Sequence, residues 1–248
     1  EEEVVVLQGS ALNGGSRAVE MLLVEGKVAF TWWSVDVMGG QLRTPESLAL
    51  NPRSVIPLLL MRNLAGTSPG RKTADRALGE TEEAPFSLTE AHSIMRFVCG
   101  HFPSLTAWYP CDIRQRARVD EYLDWHLASI RVACSGIMFN ALGLAHAAAS
   151  SRVRSELRRA AAAFLEGVAA LERDWLSQGH EYITGTTPTI ADVIAICDLE
   201  TVEFLAPDLE HLPHVTRWRN RMRRRPSFST VSQELWVLTK DLLVDPSA

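Results

Sequence analysis

The tightest constraint on the fold is an apolar run entered through a proline, Ile56-Pro57-Leu58-Leu59-Leu60. Proline has no amide proton to give a sheet, so it is tolerated at the first residue of a strand and not in its interior. The run therefore reads as a strand that begins at Pro57. An Ile-Pro bond at such an entrance is a candidate for the cis isomer, with the preceding backbone left open to a ligand. Further along, Ser87-Leu88-Thr89-Glu90-Ala91-His92 puts a carboxylate where a strand gives way to a helix. The free amides of that helix start would suit an anion. Brought together, the two stretches would form a small polar cleft for a peptide-like ligand.

The residues before this strand supply its partners. Residues 4–7 are a short β-branched run, read as a buried strand. A loop rich in Gly, Ser and Asn follows, and from Ser16, taken as the N-cap, Ala18, Met21, Leu22 and Val24 recur at helical spacing. Residues 30–37 alternate like a second strand, and a short helical segment runs to residue 50. Residues 62–85 are polar, with Gly and Pro and little periodicity, and read as a solvated insertion between two hairpin strands. Residues 86–88 return as a strand, and a helix carrying Ile94, Phe97 and Val98 follows.

After a proline-containing linker at 103–111 the pattern becomes helical throughout. A long helix is expected over 113–138 and another over 151–176. Thr189, with Asp192 three residues on, has the spacing of a capping box. The segment behind it, with Val193, Ile194, Ile196 and Leu199, is apolar nearly all round and should be a buried central helix. Two shorter helices are expected near 213–224 and 228–243. The fold class is thus α/β plus all-α, with domains over 1–102 and 112–248.

The apolar fraction of 46% and charged fraction of 22% are those of a soluble globular protein. A net charge of −5 argues against a general nucleic-acid binder. No apolar run approaches the length of a membrane span, and the acidic start lacks a signal pattern, so a cytoplasmic protein with no membrane partner is expected. Cys99, Cys111, Cys134 and Cys197 form no CxxC pair and no zinc pattern, and reduced thiols are expected.

With these pieces in place the chain resembles the glutathione transferases, which join a thioredoxin-like domain to an all-helical one. Trp108-Tyr109-Pro110, the run Arg116-Ala117-Arg118-Val119-Asp120-Glu121-Tyr122-Leu123-Asp124-Trp125-His126, and Ile130-Arg131 are similar to the theta class. Asn51-Pro52 with Ile56-Pro57, Leu88-Thr89-Glu90, and Thr189-Ile190-Ala191-Asp192 fit the wider superfamily. The resemblance implies a homodimer that uses glutathione, or a related thiol, as co-substrate against a hydrophobic electrophile. It also implies a hydroxyl donor after the first strand that favours the thiolate, the reactive form of the thiol.

Gly9-Ser10-Ala11 resembles a delta-type site and makes Ser10 the first choice for that donor. Counting back from Arg17 gives Asn13 instead, and Ser16 is a third option, read more simply as a cap. By the same resemblance, Glu90, Ala91 and His92 would hold the γ-glutamyl group, and Gln41 and Arg43 are polar candidates nearby. The backbone at Ile56-Pro57 would pair with the cysteinyl residue, and Arg131 would face the site. Leu42, Val55 and Ala91 stand where polar residues are expected. That substitution pattern supports a second reading, a transferase-fold scaffold with a degenerate site. A thiol-dependent reductase would need a cysteine near residues 10–16, and there is none. The arginines at 219, 221 and 223–225 read as a solvated helix end, and Leu235 or Trp236 as lining of the electrophile pocket.

Overall fold

The structure is a computed structural model and describes residues 3–63, 85–146, 151–177, 179–203 and 209–240. The 62–85 insertion falls almost wholly outside the described residues, as does the end of the last expected helix.

The first half is a four-stranded mixed sheet in the order β2-β1-β3-β4, with strands at Glu3–Gly9 (β1), Thr31–Ser34 (β2), Leu58–Asn63 (β3) and Phe86–Thr89 (β4). β1 runs parallel to β2 and antiparallel to β3, which pairs antiparallel with β4. The run from Val4 to Leu7 is apolar without alternation because both faces of the sheet are covered. Val5 and Leu7 enter the main core, and Val6 joins Leu58 and Leu60 in a smaller cluster on the opposite face. Helices α1 (Gly14–Glu25), α2 (Pro45–Leu50) and α3 (Ala91–His101) complete this part, with a short 3-10 turn at Gln41–Arg43.

Among the described residues of the second half, six further helices follow: α4 (Ile113–Ala128), α5 (Ile130–His146), α6 (Ser151–Ala170), α7 (Ile190–Val202), α8 (Pro213–Arg223) and α9 (Pro226–Lys240). A π-helical turn, Leu171–Leu176, extends α6. The helix expected over 113–138 is two helices. Ser129 leaves helical geometry at ψ −92°, and its hydroxyl donates back to the Trp125 carbonyl at 2.6 Å, in competition with the backbone ladder.

α7 is the buried central helix, with each of its residues inside. Its capping box is present, since Asp192 Oδ2 accepts the Thr189 amide at 2.8 Å. The second oxygen of Asp192 accepts Ile183 N at 2.9 Å and Trp218 Nε1 at 2.8 Å, so one carboxylate ties the cap to a loop and to α8. Burial raises the pKa of Asp192, against the pull of these three donations and of a fourth from the Thr189 hydroxyl at 3.3 Å. The arginine cluster of α8 is not a solvated end. Arg219 pairs with Glu203 at 2.6 Å, Arg223 with Glu200 at 2.8 Å, and Arg225 with Glu25 on α1 at 2.7 Å.

One core runs through both halves, because α1 packs on the sheet with one side and on α7 with the other. Arg17 is fully buried at that seam and donates through Nη2 to the Cys197 carbonyl at 2.5 Å and to Thr201 Oγ1. α1 begins at Gly14, one turn earlier than the helix predicted from Ser16, because Asn13 takes the cap. Gly14 is required by proximity alone. A Cβ there would lie 2.0 Å from Asp198 Oδ1 and 3.0 Å from Thr201 Oγ1. Gly14→Ala should therefore lower stability by about 1–3 kcal/mol, the usual cost of overpacking. Urea denaturation is the check, and a midpoint unchanged from the parent would contradict the close approach.

Candidate functional site

The loop between β1 and α1 opens onto a cavity of about 320 Å³ that lies between the two halves. Asn13 sits at its edge as the cap of α1, and its Oδ1 accepts the Ser16 amide at 2.8 Å and the Ser16 hydroxyl at 3.2 Å. A backbone amide can only donate, so the atom facing it is the oxygen. The Nδ2 group must then lie on the other branch of the amide, where no acceptor meets it among the described residues. Ser10 is adjacent: its carbonyl accepts Asn13 N at 2.9 Å, and its hydroxyl lies 3.4 Å from Leu12 N. Both side chains line the cavity. Ser16 is fully buried and points into the cap, which leaves it a structural residue.

Arg131, at the start of α5, also lines the cavity and reaches Asn13 Oδ1 with Nη2 at 3.4 Å. Its other nitrogen holds Asp198 Oδ1 of α7 at 2.5 Å. The second oxygen of Asp198 lies 3.4 Å from His126 Nε2, and the His126 ring is 5.8 Å from that of His92. This chain of polar groups is almost wholly out of water: Asp198 is 1% exposed and His126 0%. Burial pushes the Asp198 carboxyl up against the pull of Arg131. It also opposes the Arg131 charge, which Asp198 more than restores, so the guanidinium pKa is raised. Burial and, to a smaller degree, the neighbouring charge of Arg131 pull His126 down to about 3. His92 is likewise brought to about 3, by burial and by His126. Both imidazoles are neutral at pH 7, so His92 supplies no cation.

The two stretches singled out in the sequence do meet. The Ile56-Pro57 bond is cis, Ile56 lines the cavity, and β3 starts only at Leu58, which leaves residue 56 outside the ladder. Leu58 pairs with Thr89, which sets Glu90 and α3 beside this entrance. A Cβ on Gly15 would lie 3.1 Å from Ala91 Cβ and 3.2 Å from Arg131 Nη2, so the start of α3 touches the start of α1. Glu90 holds φ 72°, a left-handed region costly for a residue with a side chain. Its carboxylate pairs with Arg53 Nη2 at 2.8 Å, while Arg53 Nη1 donates to Thr89 Oγ1 at 3.0 Å. On the far side, Gln41 Oε1 accepts Asp36 N at 2.8 Å and so belongs to the loop, with its NH₂ left over. Arg43 is exposed on the same turn.

The sequence reading missed Arg53, His126, Asp198 and Glu234. Arg53 follows the Asn51-Pro52 pair closely, and Asp198 is a second carboxylate in a helix otherwise nearly all apolar, a pattern that demands a buried partner. The lining from the last helix also differs from expectation. Glu234 and Leu238 face the cavity, Leu235 packs behind it on Met138 and Leu142, and Trp236 turns away to donate to Glu200 Oε1 at 2.7 Å.

The family model "Glutathione S-transferase, C-terminal domain" matches residues 154–221. Glutathione S-transferase theta-3 of Mus musculus is 24% identical over 236 residues, covering 93% of this chain and 88% of its own. Human glutathione S-transferase theta-2 is 26% identical over 208 residues, with 84% and 75% covered. The structure of human glutathione transferase theta-2, in complex with glutathione and an unknown ligand, superposes with a TM-score of 0.73 at 25% identity, covering 96% of this chain and 87% of that one. The human T1-1 apo form gives 0.71 at 24% identity, with 96% and 89% covered. A thioredoxin-like sheet carrying an all-helical second half, with a cleft at their seam, is the glutathione transferase fold. In sequence and in fold the chain is similar to the glutathione S-transferases, and among them to the theta class.

Proposed function

We propose that the protein is a theta-like glutathione transferase that uses the amide of Asn13 to hold the reacting sulfur. The observation that carries this is the lock on Asn13: with Oδ1 committed to Ser16, Nδ2 is a preset donor at the N-terminus of α1, on the rim of the interdomain cavity. A donor and the positive end of a 12-residue helix both favour a thiolate over a thiol at that point. Ser10 Oγ stands beside it as the alternative donor.

The remaining candidates fit the tripeptide. The Ile56 backbone would pair with the cysteinyl residue. Glu90 would take the α-ammonium of the γ-glutamyl group, with the Ala91 amide and Arg53 taking its α-carboxylate, so that an acid and a base side by side meet a zwitterion. Arg53 thereby replaces the cation that neutral His92 cannot supply. Arg43 and the amide of Gln41 would take the glycyl carboxylate. The sulfur then attacks an electrophilic carbon, the C–S bond forms as the leaving group departs with its electron pair, and the thiol proton passes to solvent. A homodimer acting in the cytoplasm on hydrophobic, toxic electrophiles is the setting this reading implies.

The variants Asn13→Asp, Asn13→Ala and Ser10→Ala test it. Asp keeps the cap acceptor but removes the donor, so kcat/KM for glutathione conjugation should fall about 100-fold or more, as for loss of one preorganised donor. Ser10→Ala should stay within a few-fold of the parent. The reverse ranking would move the role to Ser10. Saturable binding of an S-alkyl glutathione with no turnover of any electrophile would favour the scaffold reading.

A further inference from the structure

We infer that the electrophile taken by this site is an apolar molecule bearing a positive charge, with Glu234 the residue that selects it. The inference rests on the transferase reading and concerns the apolar part of the same cavity lining. That lining includes Leu12, Val37, Met38, Met138, Phe139 and Leu142. Met38 and Phe139 are 53% and 62% exposed, an unusual amount of large apolar surface for one mouth.

The charges on this lining are unbalanced. Its cation, Arg131, is consumed by Asp198 at 2.5 Å. Asp36 accepts the Gly39 amide at 2.7 Å, which holds it in the loop without neutralising it. Glu234 stands on the exposed side of α9, lines the cavity with Leu238, and meets no cation among the described residues. Glu20 of α1 feels that charge: its carboxyl is held up to about 7 by burial and then by the charge of Glu234. A guest bearing a carboxylate would therefore be repelled at the mouth, and one bearing an ammonium would find both a counter-charge and apolar walls.

The test is steady-state kinetics with glutathione and three benzyl chlorides of similar size. One carries a para-trimethylammonio group, one a para-nitro group and one a para-carboxylate, and each kcat/KM is divided by the uncatalysed rate constant. The thiolate displaces chloride in all three, so the bond changes are the same. The cationic compound should exceed the anionic one by about tenfold or more, and Glu234→Gln should cut that ratio by about tenfold. The ratio is the readout, so a general loss of activity cancels. A ratio near one, or one unmoved by Glu234→Gln, overturns the inference. If no benzyl chloride is turned over, the transferase reading fails on its own. Calorimetry with unreactive para-methylphenyl-trimethylammonium and para-toluate then decides this inference. Tighter binding of the cation, weakened by Glu234→Gln, upholds it, and equal or absent binding overturns it.

Discussion

Replacing Asp198 with alanine is expected to destabilise the fold by about 3–5 kcal/mol, the cost of stripping one partner from a buried ion pair. The carboxylate is 1% exposed and the Arg131 side chain 20%, so the guanidinium left behind could recover little hydration. The damage would not end there. Arg131 spans from Asp198 to the Asn13 cap, and Gly14 packs directly on the carboxylate, so the start of α1 loses its backing. Urea denaturation should show a large fall in midpoint. Asp198→Asn, which keeps the shape and one acceptor, should fall by less. Conjugation activity should drop in both, since the donor on Asn13 is oriented through Arg131. A loss below about 1 kcal/mol in the alanine variant would show the pair to be replaceable by water.

That network also shows where the sequence was readable and where it was not. Strand entry at Pro57, the Glu90 junction and the Thr189–Asp192 cap were legible because each depends on neighbours in sequence: a missing amide proton, a strand-to-helix turn, a four-residue box. The transferase architecture followed from their order. The start of α1 was misread because Ser16 and Asn13 are both good caps, and what decides between them is the glycine pair that lets α1 approach α7 and α3. The break at Ser129 was invisible because apolar periodicity continues across it. The polar seam was harder still. Asp198, His126 and Arg131 come from three helices, and their meaning lies in who faces whom once α7 is inserted. The arginines at 219–225 read as solvated for the same reason, since their carboxylates sit on α1 and around the end of α7.

The two neutral histidines make stability depend on pH in a stated direction. In the unfolded chain His126 titrates near its ordinary value of 6.5, whereas in the fold burial brings it to about 3. Above pH 6.5 neither form is protonated and the group adds nothing to the balance. As pH falls from 6.5 towards 3 the unfolded chain gains a proton that the fold refuses, so stability is lost, by about 1.4 kcal/mol per pH unit for each such group. His92 acts in the same direction. Glu20 opposes them. Its carboxyl, raised to about 7, takes up a proton in the fold first and so adds stability as pH falls from 7 to 4.5. The net decline should therefore be shallow down to pH 4.5 and steeper below it. His126→Phe removes one titrating group and keeps an aromatic ring in the same space, beside Tyr122. Between pH 6.5 and pH 4 the parent protein should lose about 3 kcal/mol more than the variant, by urea denaturation across that range. Parallel curves for the two proteins would mean that His126 is protonated in the fold and paired with Asp198 as an ion, and that its 3.4 Å contact carries a charge.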